Sequence, residues 1–134
     1  MKRSIIHNAL FALTAVVCLV GCSNQVALTG TVTYTDGTPV QVGQVAFANE
    51  KHMFRGQIGK DGFYRLGGNY EGDGIMPGAY SVYLLDTETA ESDETGQRTW
   101  FIKHVAQKYT APETSGLTCE VKGRMVFDFQ VERP

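Results

Sequence analysis

Nucleophiles and metal ligands are few in this chain and poorly spaced for one another. It holds three cysteines and three histidines. Beyond the apolar leader only His52 and His104 remain, far apart and outside any paired-ligand spacing. A solvated or edge position is expected for each, and no metal site follows. No Gly-x-Ser-x-Gly elbow is present, and Ser115 reads as the opening of a strand. Glu71-Gly72-Asp73-Gly74 offers carboxylate oxygens without the Asp-x-Asp-x-Asp-Gly loop of a calcium site, so a plain turn is expected. Asp86, Glu88, Glu91, Asp93 and Glu94 crowd one short stretch, read as a solvated, mobile loop. The sequence leaves open whether that stretch takes calcium. Cys119 shares the phase of Leu117 and Val121, an inward position where a thiol behaves as a small hydrophobe with no neighbouring base. Aromatic residues remain. Trp100-Phe101 and Tyr83 could offer a stacking platform to a sugar ring, against the plainer expectation of core or edge packing. Tyr83 is out of phase with Tyr80 and Val82, so it should face outward or cover an edge. No catalytic residue and no cofactor are predicted.

The amino terminus carries the strongest local pattern. Lys2 and Arg3 precede the apolar run Ala9 to Val20. Twelve helical residues span about 18 Å, short of a hydrocarbon core of about 30 Å, so the run reads as a helical secretory signal. Leu19-Val20-Gly21-Cys22 resembles a bacterial lipobox. That resemblance implies a thioether-linked diacylglycerol on Cys22, cleavage just before it, and acylation of the new amino terminus. The expected organisation is a signal peptide over 1–21, a lipidated tether over 22–25 and one domain over 26–134. Two or three acyl chains make release from a membrane negligible. Ser23, where an Asp commonly marks retention in the inner membrane, leans the localisation towards the outer membrane. With Cys18 lost and Cys22 lipidated, Cys119 has no partner for a disulfide.

Composition places the remainder among ordinary globular domains. Hydrophobic residues make up 43% and charged residues 19%, with 15 glycines and 4 prolines, which argues against disorder. The formal net charge of −2 becomes more acidic once Lys2 and Arg3 leave, which offers nucleic acid no basic field. Val26, Leu28, Val32 and Tyr34 alternate with threonines and predict a strand. Thr35-Asp36-Gly37-Thr38-Pro39 is a turn. Val45 and Phe47 begin a second strand. Arg55–Ile58 and Phe63–Leu66 flank Gly59-Lys60-Asp61-Gly62 as a hairpin. Further strands are expected at Tyr80–Leu84, Trp100–Val105, Leu117–Val121 and Met125–Val131, the last two joined as a hairpin at Gly123. No helical stripe follows the leader. The fold class is all-β: an antiparallel Greek-key sandwich of about seven strands. A chain of about this length buries roughly two-thirds of its unfolded surface.

Three stretches, in this order, carry a family resemblance: Leu28-Thr29-Gly30-Thr31-Val32 with Asp36-Gly37-Thr38-Pro39-Val40, then Asp61-Gly62-Phe63-Tyr64, then Pro77-Gly78-Ala79-Tyr80-Ser81-Val82. Together they resemble the carboxypeptidase regulatory-like domain, a transthyretin-like (prealbumin-like) sandwich. The stretch from Lys108 to Leu117 with Val126–Phe129 is similar to the end of small bacterial lipoproteins built on that domain. The Tyr-Arg-Gly-Ser tail of transthyretin-like hydroxyisourate hydrolases is absent; this chain ends Gln130-Val131-Glu132-Arg133-Pro134. The resemblance implies fold and location and little about activity. The expected role is a non-catalytic, lipid-anchored envelope lipoprotein, acting as a structural or protein-interaction module. The alternative is a carbohydrate- or small-ligand-binding module that uses Trp100 and Tyr83. Expected partners are the membrane, through the lipid, and an envelope protein or glycan; nucleic acid is not among them.

Overall fold

The structure, a computed structural model, describes residues 24–134. The expected signal peptide, Cys22 and the first residues of the expected tether lie outside that range. Alternation is strict along β1 (Leu28–Tyr34), whose burial changes at every residue. The chain goes on through β2 (Gln44–Ala48), β3 (Met53–Gln57), β4 (Phe63–Arg65), β5 (Gly78–Leu85), β6 (Glu88–Ser92), β7 (Thr99–Lys103), β8 (Leu117–Val121), β9 (Met125–Val126) and β10 (Phe129–Val131). The helical content among the described residues is one 3-10 turn, Gln107–Thr110. The chain is thus all-β, as the alternation requires. Among the described residues ten strands stand where about seven were expected. β9 and β10 are two pieces of one strand, and β6–β7 is a ribbon outside the sandwich.

Two sheets face each other. One has the order β10-β1-β4 with β9 also on β1; the other runs β3-β2-β5-β8. Leu28, Val32, Val45, Phe47, Tyr64, Leu66, Val82 and Leu84 close the core between them, all essentially without solvent contact. An expected hairpin opens into a corner. Gly59–Gly62 does turn, with Gly62 N–H donating to Gly59 O and Gly59 N–H to Phe63 O. Its flanking strands nevertheless join different sheets: β3 pairs with β2 and β4 with β1. Only the Arg55–Gly67 bridge still links the two chain segments.

The hairpin expected at Gly123 does not form. β8 pairs with β5, whereas β9 and β10 run parallel to β1. The reason is burial from both sides: Cys119 and Val121 point into the core from one sheet and Phe129 and Val131 from the other. Cys119 Sγ lies 3.9 Å from Met125 Sδ across that gap. One parallel register joins Leu28 to Met125 and Val32 to Phe129, so the sandwich is not wholly antiparallel. The strand expected over Met125–Val131 breaks at Phe127-Asp128. Here the Tyr64 hydroxyl donates to Phe127 O at 2.5 Å, and Thr31 N–H donates to the Asp128 carboxylate at 2.8 Å. A phenol and a carboxylate thus replace one rung of the ladder.

Two glycines make this possible. A Cβ on Gly30 would fall 1.9 Å from Phe127 O and 2.7 Å from the Tyr64 hydroxyl, so only glycine admits the carbonyl and its donor. Gly62 adopts φ +81° with Val32 O 2.5 Å from its Cβ position. Gly62 thus combines a positive φ with closed space around its Cβ position.

Candidate functional site

The ribbon arises where a solvated loop was expected. β6 pairs with β7 in register from Glu88–Lys103 to Ser92–Thr99. The acidic stretch holds no apolar alternation of its own and is a strand only because β7 lies beside it. Asp93 closes the tip: its carboxylate accepts from the Thr95 hydroxyl and from Gln97 N–H. The Thr95 hydroxyl bond, foremost, holds the Asp93 carboxyl below its ordinary range against a partly opposing desolvation. At the root, His104 N–H donates to Thr87 O and the Tyr34 hydroxyl donates to His104 O. The His104 imidazole shares a 2.8 Å hydrogen bond with the Thr89 hydroxyl. The ribbon is therefore seated beside Tyr34, at the far end of β1 from Val26. Those two residues are about 26 Å apart at ~3.3 Å per residue of extended chain. Val26 bridges Ile75 at the opposite pole, beside the first described residues.

Trp100 and Phe101 are 45% and 68% exposed. Consecutive strand residues point to opposite faces, so these two rings do not form one platform. Tyr83, expected to face outward or cover an edge, is buried in the interior of its sheet, at 8% exposure. It pairs with Ala46 on a stretch of sheet where both faces are covered. Tyr83 therefore offers no exposed ring, and the paired platform of Trp100 and Tyr83 is not assembled. Phe101 instead borders a cleft of about 370 Å³ with Leu84, Leu85, Thr87, Glu88 and Gln107.

Other candidate groups are occupied by structural work. Asp73, in the oxygen-rich turn Glu71–Gly74, accepts from the N–H groups of Gly68, Asn69 and Tyr70. Burial alone would raise its carboxyl; those donors outweigh it and hold the carboxyl below the usual range. Cys119 is buried as its phase requires, and desolvation pushes its thiol above the ordinary value of 9.0. The Ser115 hydroxyl is buried and donates to Val82 O at 2.6 Å, just before β8. His52 is exposed and packs beside the Phe54 ring, at the other pole from His104. Among the described residues no group of three or more His, Cys, Asp or Glu side chains is placed to hold a metal ion.

A cleft of about 450 Å³ lies between the β1–β2 turn and the carboxyl-terminal segment, lined by Tyr34, Thr38, Gln41, His104 and Arg133. Its cation is already engaged. The Arg133 guanidinium lies 3.8 Å over the Tyr34 ring and donates to the Thr38 hydroxyl at 2.9 Å. Asp36 below it is held under its usual range by the Thr38 hydroxyl first and the Thr38 N–H next, with Arg133 adding to both.

What fold and site define together is an all-β sandwich bearing a two-stranded ribbon at the pole away from Val26. No protein-family model and no curated protein matches the chain. Among solved structures it is similar to a DUF3823 family protein from Bacteroides ovatus, with 20% identity and a TM-score of 0.46. The match covers 81% of this chain and 45% of that one, so this chain spans less than half of that protein's length.

Proposed function

We propose that this chain is a lipid-anchored, non-catalytic envelope lipoprotein, a carboxypeptidase regulatory-like (transthyretin-like) module whose role is structural or protein-interacting. The observation that carries the reading is the polarity of the molecule. The tether enters beside Val26, and the solvent-exposed ribbon with Trp100 and Phe101 stands beside Tyr34 at the opposite pole. A lipid on Cys22 holds the first pole at the membrane and turns the ribbon away from it. The lipobox pattern Leu19–Cys22 and the motif order around Gly30, Gly62 and Gly78 support the same reading. Seven strands in two facing sheets are what a transthyretin-like sandwich calls for, and β9 with β10 completes that number as one strand. The anchor belongs to the outer membrane on the argument from Ser23.

The test is made on the full-length chain in its native envelope. Parent and Cys22→Ser chains are compared for incorporation of radiolabelled palmitate and for membrane partition. Tagged parent is then used to recover bound envelope proteins, and Phe101→Ala to ask whether the ribbon holds them. Label and partition lost on Cys22→Ser, with recovery weakened by Phe101→Ala, support the reading. A Cys22→Ser chain that is still labelled and membrane-bound overturns the anchor.

A further inference from the structure

The ribbon has two strand edges that pair with nothing else among the described residues, and one of them is self-complementary. Asp93 N–H donates to Arg98 O and His104 N–H to Thr87 O, which sets the parity of the ladder. Pairing alternates along an antiparallel ribbon. The backbone groups of Thr99, Phe101 and Lys103 therefore turn outward on β7, and those of Glu88, Ala90 and Ser92 outward on β6. Thr99, Phe101 and Lys103 are symmetric about Phe101.

We propose that a second copy of this chain pairs antiparallel along β7, with a two-fold axis at Phe101, to make one four-stranded sheet with a β6 on each outer edge. The inference rests on the protein-interaction reading and names its partner. Each Phe101 N–H then meets the other copy's Phe101 carbonyl, and Thr99 exchanges both of its bonds with the second copy's Lys103. Side chains agree with this register. Phe101, 68% exposed, meets its own copy on one face. Trp100 and Ile102 meet across the other face, the kind of aromatic and β-branched pair that stabilises neighbouring strands. Lys103 faces Thr99, so no like charges are directly opposed. The β6 edge fits less well. Its axis would fall on Ala90, with Glu88 and Glu91 close by, neither of them ion-paired among the described residues. Charged side chains blunt a strand edge, so β6 closes the assembly and β7 opens it. Repeated β7-to-β6 stacking is barred by size. Successive bodies would sit about 9.5 Å apart, two strand spacings, whereas a four-stranded sheet alone is about 14–19 Å wide. Confinement to a membrane through Cys22 raises the effective concentration of a weak edge contact.

The experiment uses full-length chains in the native envelope that carry Phe101→Cys, Thr99→Cys or Ala90→Cys. Samples are oxidised with copper–phenanthroline and separated without reductant. With Cys22 lipidated and Cys119 buried, the new thiol is the one available. A hydrogen-bonded antiparallel pair has Cα atoms about 5.5 Å apart, inside the disulfide range of about 4.4–6.8 Å. Thr99 and the second copy's Thr99 are offset by about 13 Å. Phe101→Cys is expected to give a species of doubled mass at least ~10-fold more abundant than either other variant. Phe101→Pro removes the outward N–H and the ring that meets its copy, and keeps the bonds within the ribbon. It should abolish the dimer that a short amine-reactive cross-linker captures in the parent, while keeping the parent's resistance to protease. Dimers that form equally from all three cysteine variants, or none from Phe101→Cys, overturn the proposal. If Phe101→Cys stays monomeric while tagged parent still recovers a different envelope protein, the second copy is wrong and the interaction reading stands. If it stays monomeric and nothing is recovered, both fall.

Discussion

Tyr64→Phe is the substitution that most directly tests how the sandwich is closed. Tyr64 is fully buried, and its hydroxyl donates to Phe127 O at the break between β9 and β10. The Thr31 N–H that would otherwise reach that carbonyl is taken by Asp128. Removing one hydroxyl costs the net bond, about 0.5–1.5 kcal/mol, and strands a shielded carbonyl at about 1–3 kcal/mol. The two figures overlap, so a total of about 1–3 kcal/mol is expected. For a domain near 100 residues each kcal/mol moves the melting temperature by roughly 4–8 °C. Thermal unfolding followed by circular dichroism should therefore show a fall of roughly 5–20 °C. Gly30→Ala presses a methyl group towards the same carbonyl and should cost about 1–3 kcal/mol. Because both changes act on one carbonyl, the double variant should lose less than the sum of the singles. A Tyr64→Phe chain that melts within 1 °C of the parent, or strictly additive losses, would refute the idea that this rung holds the strand in place.

Other expectations follow from the same structure. Burial pushes the Tyr64 and Tyr80 phenols above 10.0 and the Cys119 thiol above 9.0. The unfolded chain loses these protons first, so the stability they contribute is complete below about pH 9 and declines as pH rises further. Melting temperature against pH should fall on the alkaline side, and less steeply in Tyr64→Phe; an equal slope would show that Tyr64 does not titrate on unfolding. Cys119 should react slowly with a thiol reagent in native protein and quickly in denaturant, and fast native labelling would contradict its burial. Gly62→Val combines a positive φ with Val32 O in the way of its Cβ, and should lower stability by about 1–3 kcal/mol in a denaturant titration without altering membrane attachment.

Strand identity was legible from the chain because alternation is a local property. Val32, Tyr80 and Val121 each announce an inward face to their own neighbours, and Cys119 fell in place by the same phase. Strand partnership is not local. Lys122-Gly123-Arg124 is as good a hairpin turn as any, but a hairpin there would put Val121 and Val131 in one sheet and leave half the core unfilled. The tertiary structure sends the two strands to opposite sheets because both apolar faces must be covered at once. Tyr83 shows the complementary failure. Its phase marks it as outward, and only packing on both faces of β5 buries it. β6 is the extreme case, since Glu88–Ser92 has no strand pattern of its own and is ordered by β7. Gly30 and Tyr64 were visible as motif residues, yet their reason, a carbonyl 97 positions further along the chain from Gly30 that needs both room and a donor, exists only once the sandwich is closed.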